Sequence, residues 1–231
     1  MRVIAGMAKG RSLDRPRSSR QRPTSDRVRE AVFDMLGSIG GVAGWRVADL
    51  FAGTGAMGLE ALSRGARSVV FVEQDSCALR VLRSNVAKVS SHMNLVISEV
   101  DERQGEAGVN AAGERAVSAC RIVAGDVMSF IHLPDQFDLA LCDPPYVFDL
   151  WAGLLGGLRA RFAVLESDRE LPIGAGWETI RVRRHGSAVV HLLRATSLAA
   201  ERGQDGVRDR FVSGEIPPCQ RDAPVGMGVV E

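Results

Sequence analysis

Residues 45 to 62 read Trp-Arg-Val-Ala-Asp-Leu-Phe-Ala-Gly-Thr-Gly-Ala-Met-Gly-Leu-Glu-Ala-Leu, and this stretch decides the fold. Its first part, 45–51, is a short apolar run typical of a buried strand, and the residues from Met57 onward have the apolar spacing of a helix. Gly53 and Gly55 let a ligand approach the main chain closely, and the first amides of the helix point toward that ligand. A strand, a glycine-rich loop and a helix in this order predict a nucleotide-binding α/β sheet.

The second strand of this unit helps to identify the ligand. It covers 68–72 and ends at Glu73, about 20 residues after the first glycine, where nucleotide-binding sheets hold ribose hydroxyls. The spacing Gly53-x-Gly55-x-x-Gly58 also fits the dinucleotide fingerprint, so a nicotinamide cofactor is the alternative. Asp49 at the end of the first strand would repel a diphosphate but suits the ammonium group of S-adenosylmethionine. We therefore predict that S-adenosylmethionine is the cofactor.

A second motif, Asp143-Pro-Pro-Tyr146, follows the apolar run 137–142. The two prolines fix two φ angles and remove two main-chain donors, so the chain must leave the sheet at this point. The Asp143 carboxylate, the Pro144 carbonyl and the Tyr146 ring could then hold a planar, amino-bearing ring such as a nucleobase. A loop tip with a buried tyrosine is the alternative interpretation.

The two motifs together resemble a known class of enzymes. Asp49-x-Phe51-x-Gly53-x-Gly55 is similar to motif I of class I methyltransferases, and the 143–146 motif resembles motif IV of their amino-methylating members. This resemblance implies a class I methyltransferase Rossmann-like fold of the α/β class. It also implies a seven-stranded, mostly parallel sheet with an antiparallel closing hairpin.

Four stretches resemble one family in particular: 2–6, 9–11 and 22–33 in the N-terminal segment, and 51–65 after it. They are similar to the RsmD family of bacterial small-subunit (16S) rRNA guanine-N2 methyltransferases. Four separated motifs in the family's order make the resemblance specific, and it covers residues 2 to about 195 with one interruption. The implied reaction is methylation of the exocyclic N2 amine of a guanine in small-subunit rRNA, free or in an assembling ribosomal particle.

The resemblance and the residue types together define the expected site. The expected catalytic residues are Asp143, Pro144 and Tyr146. The expected cofactor-binding residues are Asp49, Phe51, Gly53, Gly55, Glu73, Gln74, Asp126 and Val127. In the class I pattern, Asp126 approaches the adenine amino group and the Val127 amide lies near the ring. Asp126 is equally well interpreted as the cap of the helix that follows it, and the two roles are compatible.

The N-terminal segment also carries most of the positive charge. Residues 1–30 contain eight arginines and one lysine against three acidic residues, a net charge of +6, whereas the whole chain carries only +1. Phosphate contacts from such a segment would supply RNA affinity and make it salt-dependent. The expected phosphate-binding residues are Arg11, Arg22, Arg27 and Arg29. A solvated tail would have the same composition, but apolar residues around Gly6 and Gly10 favour an ordered β-hairpin arm.

We expect three regions along the chain: the hairpin arm at 1–24, the methyltransferase domain at 25–198 and a disordered tail at 199–231. Within the domain we expect helices at about 75–89 and 150–161. Residues 90–119 are long and polar enough to predict a mobile surface insertion, with an edge strand at 94–100 as the alternative.

Composition excludes several classes of protein. No apolar run approaches the roughly 20 residues that span a bilayer, and the N-terminus is too polar for a signal peptide. The four cysteines and four histidines have no metal-binding or disulfide spacing, so we expect no metal and a cytoplasmic monomer. Three alternatives remain open: a methyltransferase that acts on adenine or cytosine, a nicotinamide oxidoreductase, and a noncatalytic ribosome-assembly factor.

Overall fold

The computed structural model of the protein describes residues 1–15, 26–101 and 120–196. Within these ranges the helices are α1 (Asp26–Gly37), α2 (Ala56–Ser63), α3 (Ser76–Met93), α4 (Val127–Phe130) and α5 (Trp151–Gly157). The strands are β1 (Arg46–Leu50), β2 (Ser68–Glu73), β3 (Ile97–Asp101), β4 (Cys120–Ala124), β5 (Phe137–Cys142), β6 (Ala160–Ser167), β7 (Trp177–His185) and β8 (Ala188–Ala195). None of the helices in these ranges is long and apolar enough to cross a membrane.

All of these strands belong to one sheet in the order β3-β4-β2-β1-β5-β6-β8-β7. The six neighbouring strands β3-β4-β2-β1-β5-β6 pair in parallel. Strand β8 pairs antiparallel with both β6 and β7. The inner strands are apolar on both faces because each face packs in its own buried cluster, one containing Phe71 and the other Leu50. The predicted α/β fold, a mostly parallel sheet closed by an antiparallel hairpin, is confirmed.

The described sheet has eight strands where seven were predicted. The additional strand is β3, which pairs with β4 at the edge of the sheet, as the alternative of an edge strand near 94–100 predicted. Helix α3 continues to Met93 and ends at Asn94, whose left-handed φ of 53° places its amide on the Ser90 carbonyl. Residues 90–101 therefore form regular structure and not a mobile insertion, whereas 102–119 lie outside the described residues.

The predicted helix at 150–161 is shorter than expected. It ends at Gly157, and Leu158 already has an extended backbone. Two adjacent glycines weaken the helix, and the residues from Ala160 onward gain more by pairing with β5. The predicted antiparallel closing hairpin is formed by β7 and β8.

The N-terminal segment 1–15 forms a small hairpin that packs on the domain. A single antiparallel bridge joins Arg2 to Ser12, and the amides of Val3 and Gly10 bond the carbonyls of Arg11 and Val3 at 3.0 and 2.9 Å. The apolar side chains that face inward, Val3, Ala8 and Leu13, are buried in the same cluster as α2. The predicted ends of the arm at 24 and of the domain at 198 lie outside the described residues.

Helix α2 holds this hairpin with hydrogen bonds. The buried Glu60 carboxylate accepts the amides of Ile4 and Ala5 at 2.7 and 2.9 Å. One turn later, the Ser63 carbonyl accepts the Met7 amide at 2.7 Å and its hydroxyl accepts the Ala8 amide at 2.9 Å. Four main-chain amides of one short hairpin are thus satisfied by two residues of a single helix.

Gly6 and Gly10 provide a matched test of this docking. Both have a left-handed backbone, at φ 81° and 84°, so an alanine at either position is strained by about 1 to 2 kcal/mol. A Cβ at Gly6 would lie 1.8 Å from the Ser63 carbonyl oxygen, whereas one at Gly10 would meet nothing within 4 Å. We expect Gly6→Ala to lose about 1 to 3 kcal/mol more unfolding free energy than Gly10→Ala in urea denaturation, the cost of overpacking. Equal losses would show that the hairpin is not held at this contact.

Candidate functional site

The predicted site residues converge at one edge of the sheet. Strands β4, β2, β1 and β5 are parallel neighbours, so their carboxyl ends lie side by side. Leu50 of β1 is in register with Val72 on one side and Cys142 on the other. The chain order reverses at β1, and this is where open α/β sheets bind ligands. The glycine-rich loop, Glu73, Asp126 and Asp143 follow these four strand ends.

The glycine-rich loop connects β1 to α2, and its glycines leave the main chain free of side chains where a ligand or a neighbouring strand comes close. Gly53 has a φ of 56°, and a Cβ built there would meet only the Phe51 carbonyl, at 3.9 Å, so a ligand can approach the main chain. Gly55 precedes the first residue of α2. A Cβ on Gly58 would come within 2.4 Å of the Phe71 ring and 2.9 Å of Asp49 Oδ2. Gly58 therefore allows the helix to pack directly on the strands.

Asp49 lies beneath the start of α2. Its side chain is only 3% exposed, and Oδ2 accepts the Gly58 amide at 2.8 Å. Burial raises the pKa of this carboxyl well above its ordinary value, the Gly58 amide opposes that shift, and the nearby carboxylates of Asp143 and Glu73 raise it further. Three acidic groups therefore act on the same small volume, which favours a cation over a phosphate.

Glu73 ties the second strand to the glycine-rich loop. Its Oε2 accepts the Gly53 amide at 2.8 Å, and its Oε1 accepts the amides of Gln74 and Asp75 at 2.9 and 2.8 Å. An ionised carboxylate has about four acceptor positions, so three such bonds leave room for a hydroxyl donor. The carboxylate is half-buried and held in place by the main chain, as a ribose-binding group requires.

Asp126 takes the capping position that was one of its two predicted roles. Its carboxylate accepts the Ser129 amide at 3.0 Å and begins α4. The side chain is exposed, whereas Val127 beside it is buried. A capping carboxylate keeps free acceptor positions, so the proposed contact with an amino group is compatible with this geometry.

The Asp143-Pro-Pro-Tyr146 segment turns sharply out of the sheet. The Phe148 amide donates to the Pro145 carbonyl at 2.8 Å, which closes the turn. Tyr146 is 44% exposed and the next residue, Val147, is 92% exposed. The interpretation of a loop tip with a buried tyrosine is therefore wrong, because the ring is available to a planar partner.

A row of aromatic side chains joins this turn to the glycine-rich loop. Phe51 was predicted as part of the site, whereas Phe148 and Trp151 were not. Phe51 has a left-handed φ of 64° that is unfavourable for a phenylalanine, and its ring packs edge-on against Phe148 at 5.1 Å. Phe148 in turn packs edge-on against Trp151 at 5.1 Å. The strained backbone at Phe51 thus places its ring where both motifs meet. Aromatic residues at 148 and 151, just after a proline turn, were the available signal.

The predicted phosphate-binding residues do not share one environment. Arg11 and Arg27 are exposed, with Arg11 Nη2 lying 2.6 Å from His92 Nδ1. The predicted phosphate contact of Arg29 is wrong for this structure, because its side chain is 0% exposed and donates to the Arg2 carbonyl and the Asp26 carboxylate. Arg22 lies outside the described residues.

A basic cleft lies between the hairpin and α1. It has a volume of about 360 Å³ and is lined by Arg2, Val3, Ile4, Lys9, Gly10, Asp26, Arg27 and Glu30. Asp26 is already paired with Arg29 at 3.0 Å. The basic side chains of Arg2, Lys9 and Arg27 therefore outweigh the remaining acid. In the described ranges, no group of three or more histidine, cysteine or acidic residues could hold a metal ion.

Comparison with known proteins identifies relatives of this chain. Residues 1–114 match the family model described as "Conserved hypothetical protein 95", which represents the RsmD family. YlbH of Bacillus subtilis is 39% identical over 115 residues, which cover 50% of this chain and 60% of that protein. Ribosomal RNA small subunit methyltransferase D of Escherichia coli K12 is 41% identical over 91 residues, 39% of this chain and 45% of that one.

The family match places the N-terminal half of the chain in the RsmD family. A solved structure of the Escherichia coli protein yhhF agrees, with a TM-score of 0.64, 27% identity and coverage of 84% of this chain and 97% of that one. The fold is accordingly that of a class I methyltransferase. The matched segments span about half the length of the two curated relatives.

The buried carboxyl of Asp49 predicts a pH dependence of stability. Because its folded-state pKa is raised, its contribution to stability is complete below the ordinary value of 3.8 and is lost as the pH rises through the folded-state pKa. Asp49→Asn keeps an acceptor for the Gly58 amide and removes the charge. We expect this variant to gain unfolding free energy over wild type, increasingly from pH 4 to pH 8, in urea denaturation.

Asp138→Asn is the matched control for this measurement. The Asp138 carboxylate also accepts a main-chain amide, that of Arg46 at 2.9 Å, but this residue is only half-buried. The pH-dependent gain should be larger for Asp49→Asn than for the control. Parallel stability curves for Asp49→Asn and wild type would contradict a buried, charge-penalised carboxyl.

Proposed function

We propose that this protein is an S-adenosylmethionine-dependent methyltransferase that methylates the exocyclic N2 amine of a guanine in small-subunit rRNA. One observation carries the proposal: a single sheet edge joins a ligand-accessible glycine-rich loop to an exposed Asp143-Pro-Pro-Tyr146 turn. The first can hold a nucleoside cofactor and the second can hold an amino-bearing base. The similarity to proteins named ribosomal RNA small subunit methyltransferase D supports the RNA substrate.

The cofactor side fits a positively charged nucleoside without phosphates. Glu73 would accept a ribose hydroxyl, Asp126 would accept the adenine amino group, and Phe51, Gln74 and Val127 would border them. The negative charges of Glu73 and Asp143 near buried Asp49 favour an ammonium and a sulfonium over the diphosphate of a nicotinamide cofactor. When bound, S-adenosylmethionine supplies the electrophile, a methyl group on a positively charged sulfur that leaves as a neutral thioether.

The substrate side addresses the weak nucleophilicity of an aromatic amine, whose lone pair is delocalised into the ring. The Asp143 carboxylate and the Pro144 carbonyl would accept the two amine hydrogens and favour a pyramidal nitrogen with its lone pair toward the methyl group. The exposed ring of Tyr146 would stack on the extruded base. No strong base is needed, because the methylated ammonium product is itself acidic.

The RNA backbone would be held by the basic cleft beside α1. Arg2, Lys9 and Arg27 line it, and Arg11 lies on the same hairpin. Phosphate contacts of this kind position an RNA without reading its sequence. Selection of the target guanine then rests on the turn at 143–146 and on the shape of the RNA or of the assembling particle. The role of Arg22 stays a prediction.

The direct test is methyl transfer from labelled S-adenosylmethionine to small-subunit rRNA and to small ribosomal subunits, followed by mapping of the modified atom. The proposal expects label at a guanine N2. Label at adenine N6 or cytosine N4, in RNA or DNA, would overturn the substrate assignment. Saturable binding of NADH without binding of S-adenosylmethionine would identify an oxidoreductase, and binding of RNA without transfer would favour an assembly factor.

Substitution of Asp143 tests whether this residue acts in the methyl-transfer step or in cofactor binding. Asp143→Ala should lower kcat by on the order of 10²-fold or more, because its hydrogen bonds matter most as the amine becomes pyramidal, while the Kd for S-adenosylmethionine changes much less. Asp149→Ala is the control, since Asp149 is an exposed acid in the next turn, paired with Arg169. Single-turnover rates and calorimetry provide the two numbers. An equal loss in both would identify Asp143 as a cofactor ligand instead.

The basic cleft can be tested without disturbing the core. Deletion of the hairpin would remove the buried Val3 and Leu13 from the core, so charge substitutions are the sharper experiment. The triple variant with glutamine at Arg2, Lys9 and Arg27 should bind S-adenosylmethionine normally and lose RNA affinity. Its slope of log Kd against log salt should flatten by about 0.7 to 0.9 for each phosphate contact removed.

The matched control replaces three exposed arginines that do not line the cleft with glutamine: Arg159 just before β6, Arg161 on β6 and Arg183 on β7. Both triple variants change the net charge by the same amount. If the control loses as much RNA affinity and salt dependence as the cleft variant, the effect is one of net charge, and the cleft is not the RNA-binding surface.

A further inference from the structure

Asn85 is a fully buried polar residue on α3 that the proposed chemistry does not use. Its side chain is 0% exposed and makes three hydrogen bonds. Oδ1 accepts the Asp14 amide at 2.7 Å, and Nδ2 donates to the Asp14 carbonyl at 3.2 Å and to the Thr54 carbonyl at 2.9 Å. One side-chain amide therefore holds both main-chain groups of Asp14 and a carbonyl of the glycine-rich loop.

The two segments that Asn85 joins belong to different parts of the proposed site. Asp14 lies at the end of the N-terminal hairpin, which carries the basic side chains. Thr54 lies between Gly53 and Gly55, where a cofactor would approach the main chain. Leu82, one turn earlier on α3, packs against the same loop, since a Cβ on Gly55 would lie 2.5 Å from it. The Asn85 side chain is fully buried, so leaving its polar atoms without these bonds would be costly.

A second, separate connection holds the hairpin when Asn85 is altered. Glu60 and Ser63 of α2 bind the amides of residues 4 to 8, and the apolar face of the hairpin packs on the core. These contacts attach the hairpin to the middle and end of α2. Asn85 alone among the described contacts bonds both the hairpin and the loop main chain. Its loss should therefore uncouple the two segments without releasing the hairpin.

We propose that Asn85 is a positioning residue that couples the N-terminal hairpin to the glycine-rich loop, so that RNA and S-adenosylmethionine each strengthen the binding of the other. This inference rests on the proposed function. The physical basis is that each ligand orders a segment bonded to the same amide, so the ligand that binds second finds part of the ordering cost already met. Linkage requires the effect to be equal in both directions.

The experiment measures the Kd of S-adenosylmethionine with and without a saturating in vitro transcript of small-subunit rRNA. In the wild-type protein we expect the transcript to tighten cofactor binding about fivefold or more, the lower end of typical coupling. Asn85→Asp has the same shape but loses both donors. The ratio of its Kd for S-adenosylmethionine without the transcript to that with the transcript should therefore fall toward one. The control is Lys88→Met, because Lys88 bonds the exposed Asp14 carboxylate one turn later and does not bond Thr54.

A measurement on the wild-type protein keeps the test independent of how the variants fold. Addition of the transcript alone should slow hydrogen exchange at the Gly55 amide, which bonds the Ala52 carbonyl at 2.7 Å within the loop. Unchanged exchange, or a wild-type ratio of one, would overturn the coupling while leaving methyl transfer intact. An Asn85→Asp ratio equal to that of wild type would remove Asn85 from it. Failure of the wild-type protein to bind S-adenosylmethionine at all would overturn the proposed function itself.

Discussion

The close packing of α2 on β1 and β2 is the constraint on which the rest of the site depends. The helix lies so near the strands that a Cβ at Gly58 would overlap Phe71, and Asp49 reaches the helix amide directly. This fixes the direction in which the glycine-rich loop leaves β1. The same helix is buried along its whole length, and its Glu60 and Ser63 receive the N-terminal hairpin. The glycine-rich loop and the N-terminal hairpin are thus both fixed to the same helix, α2.

Local residue types were enough to predict the parts of the site that lie at strand ends. A short apolar run followed by glycines, by Glu73 or by Asp143 has a direct local meaning, because parallel strands bring their carboxyl ends to one edge. The grouping of these residues followed from that rule, whereas the closing hairpin was implied by the resemblance to class I methyltransferases. The errors in α5 and β3 arose at boundaries, where weak local preference is overridden by strand pairing with distant residues.

The contacts that connect the hairpin to the domain could not be predicted in this way. Glu60 binds amides 55 and 56 residues away along the chain, and Asn85 binds a main chain 71 residues away. Arg29 looked like one more charge in a basic segment until its neighbours were known. A polar residue inside an apolar helical stripe, as at 60 and 85, was the available signal. Its partners appear only in three dimensions, because they are main-chain groups and carry no side-chain pattern.

The thiol of Cys142 bears on the selectivity of a methyl-transfer site. Cys142 is buried at the end of β5, directly before Asp143, and its pKa is raised by burial and by the negative charges of Asp49 and Asp143. A thiolate is a far better nucleophile than an aromatic amine, whereas a protonated thiol is a poor one. Burial first, and these two acids after it, therefore disfavour the thiolate form of Cys142. Under the proposed function, this would disfavour methylation of the protein's own thiol beside the site of methyl transfer.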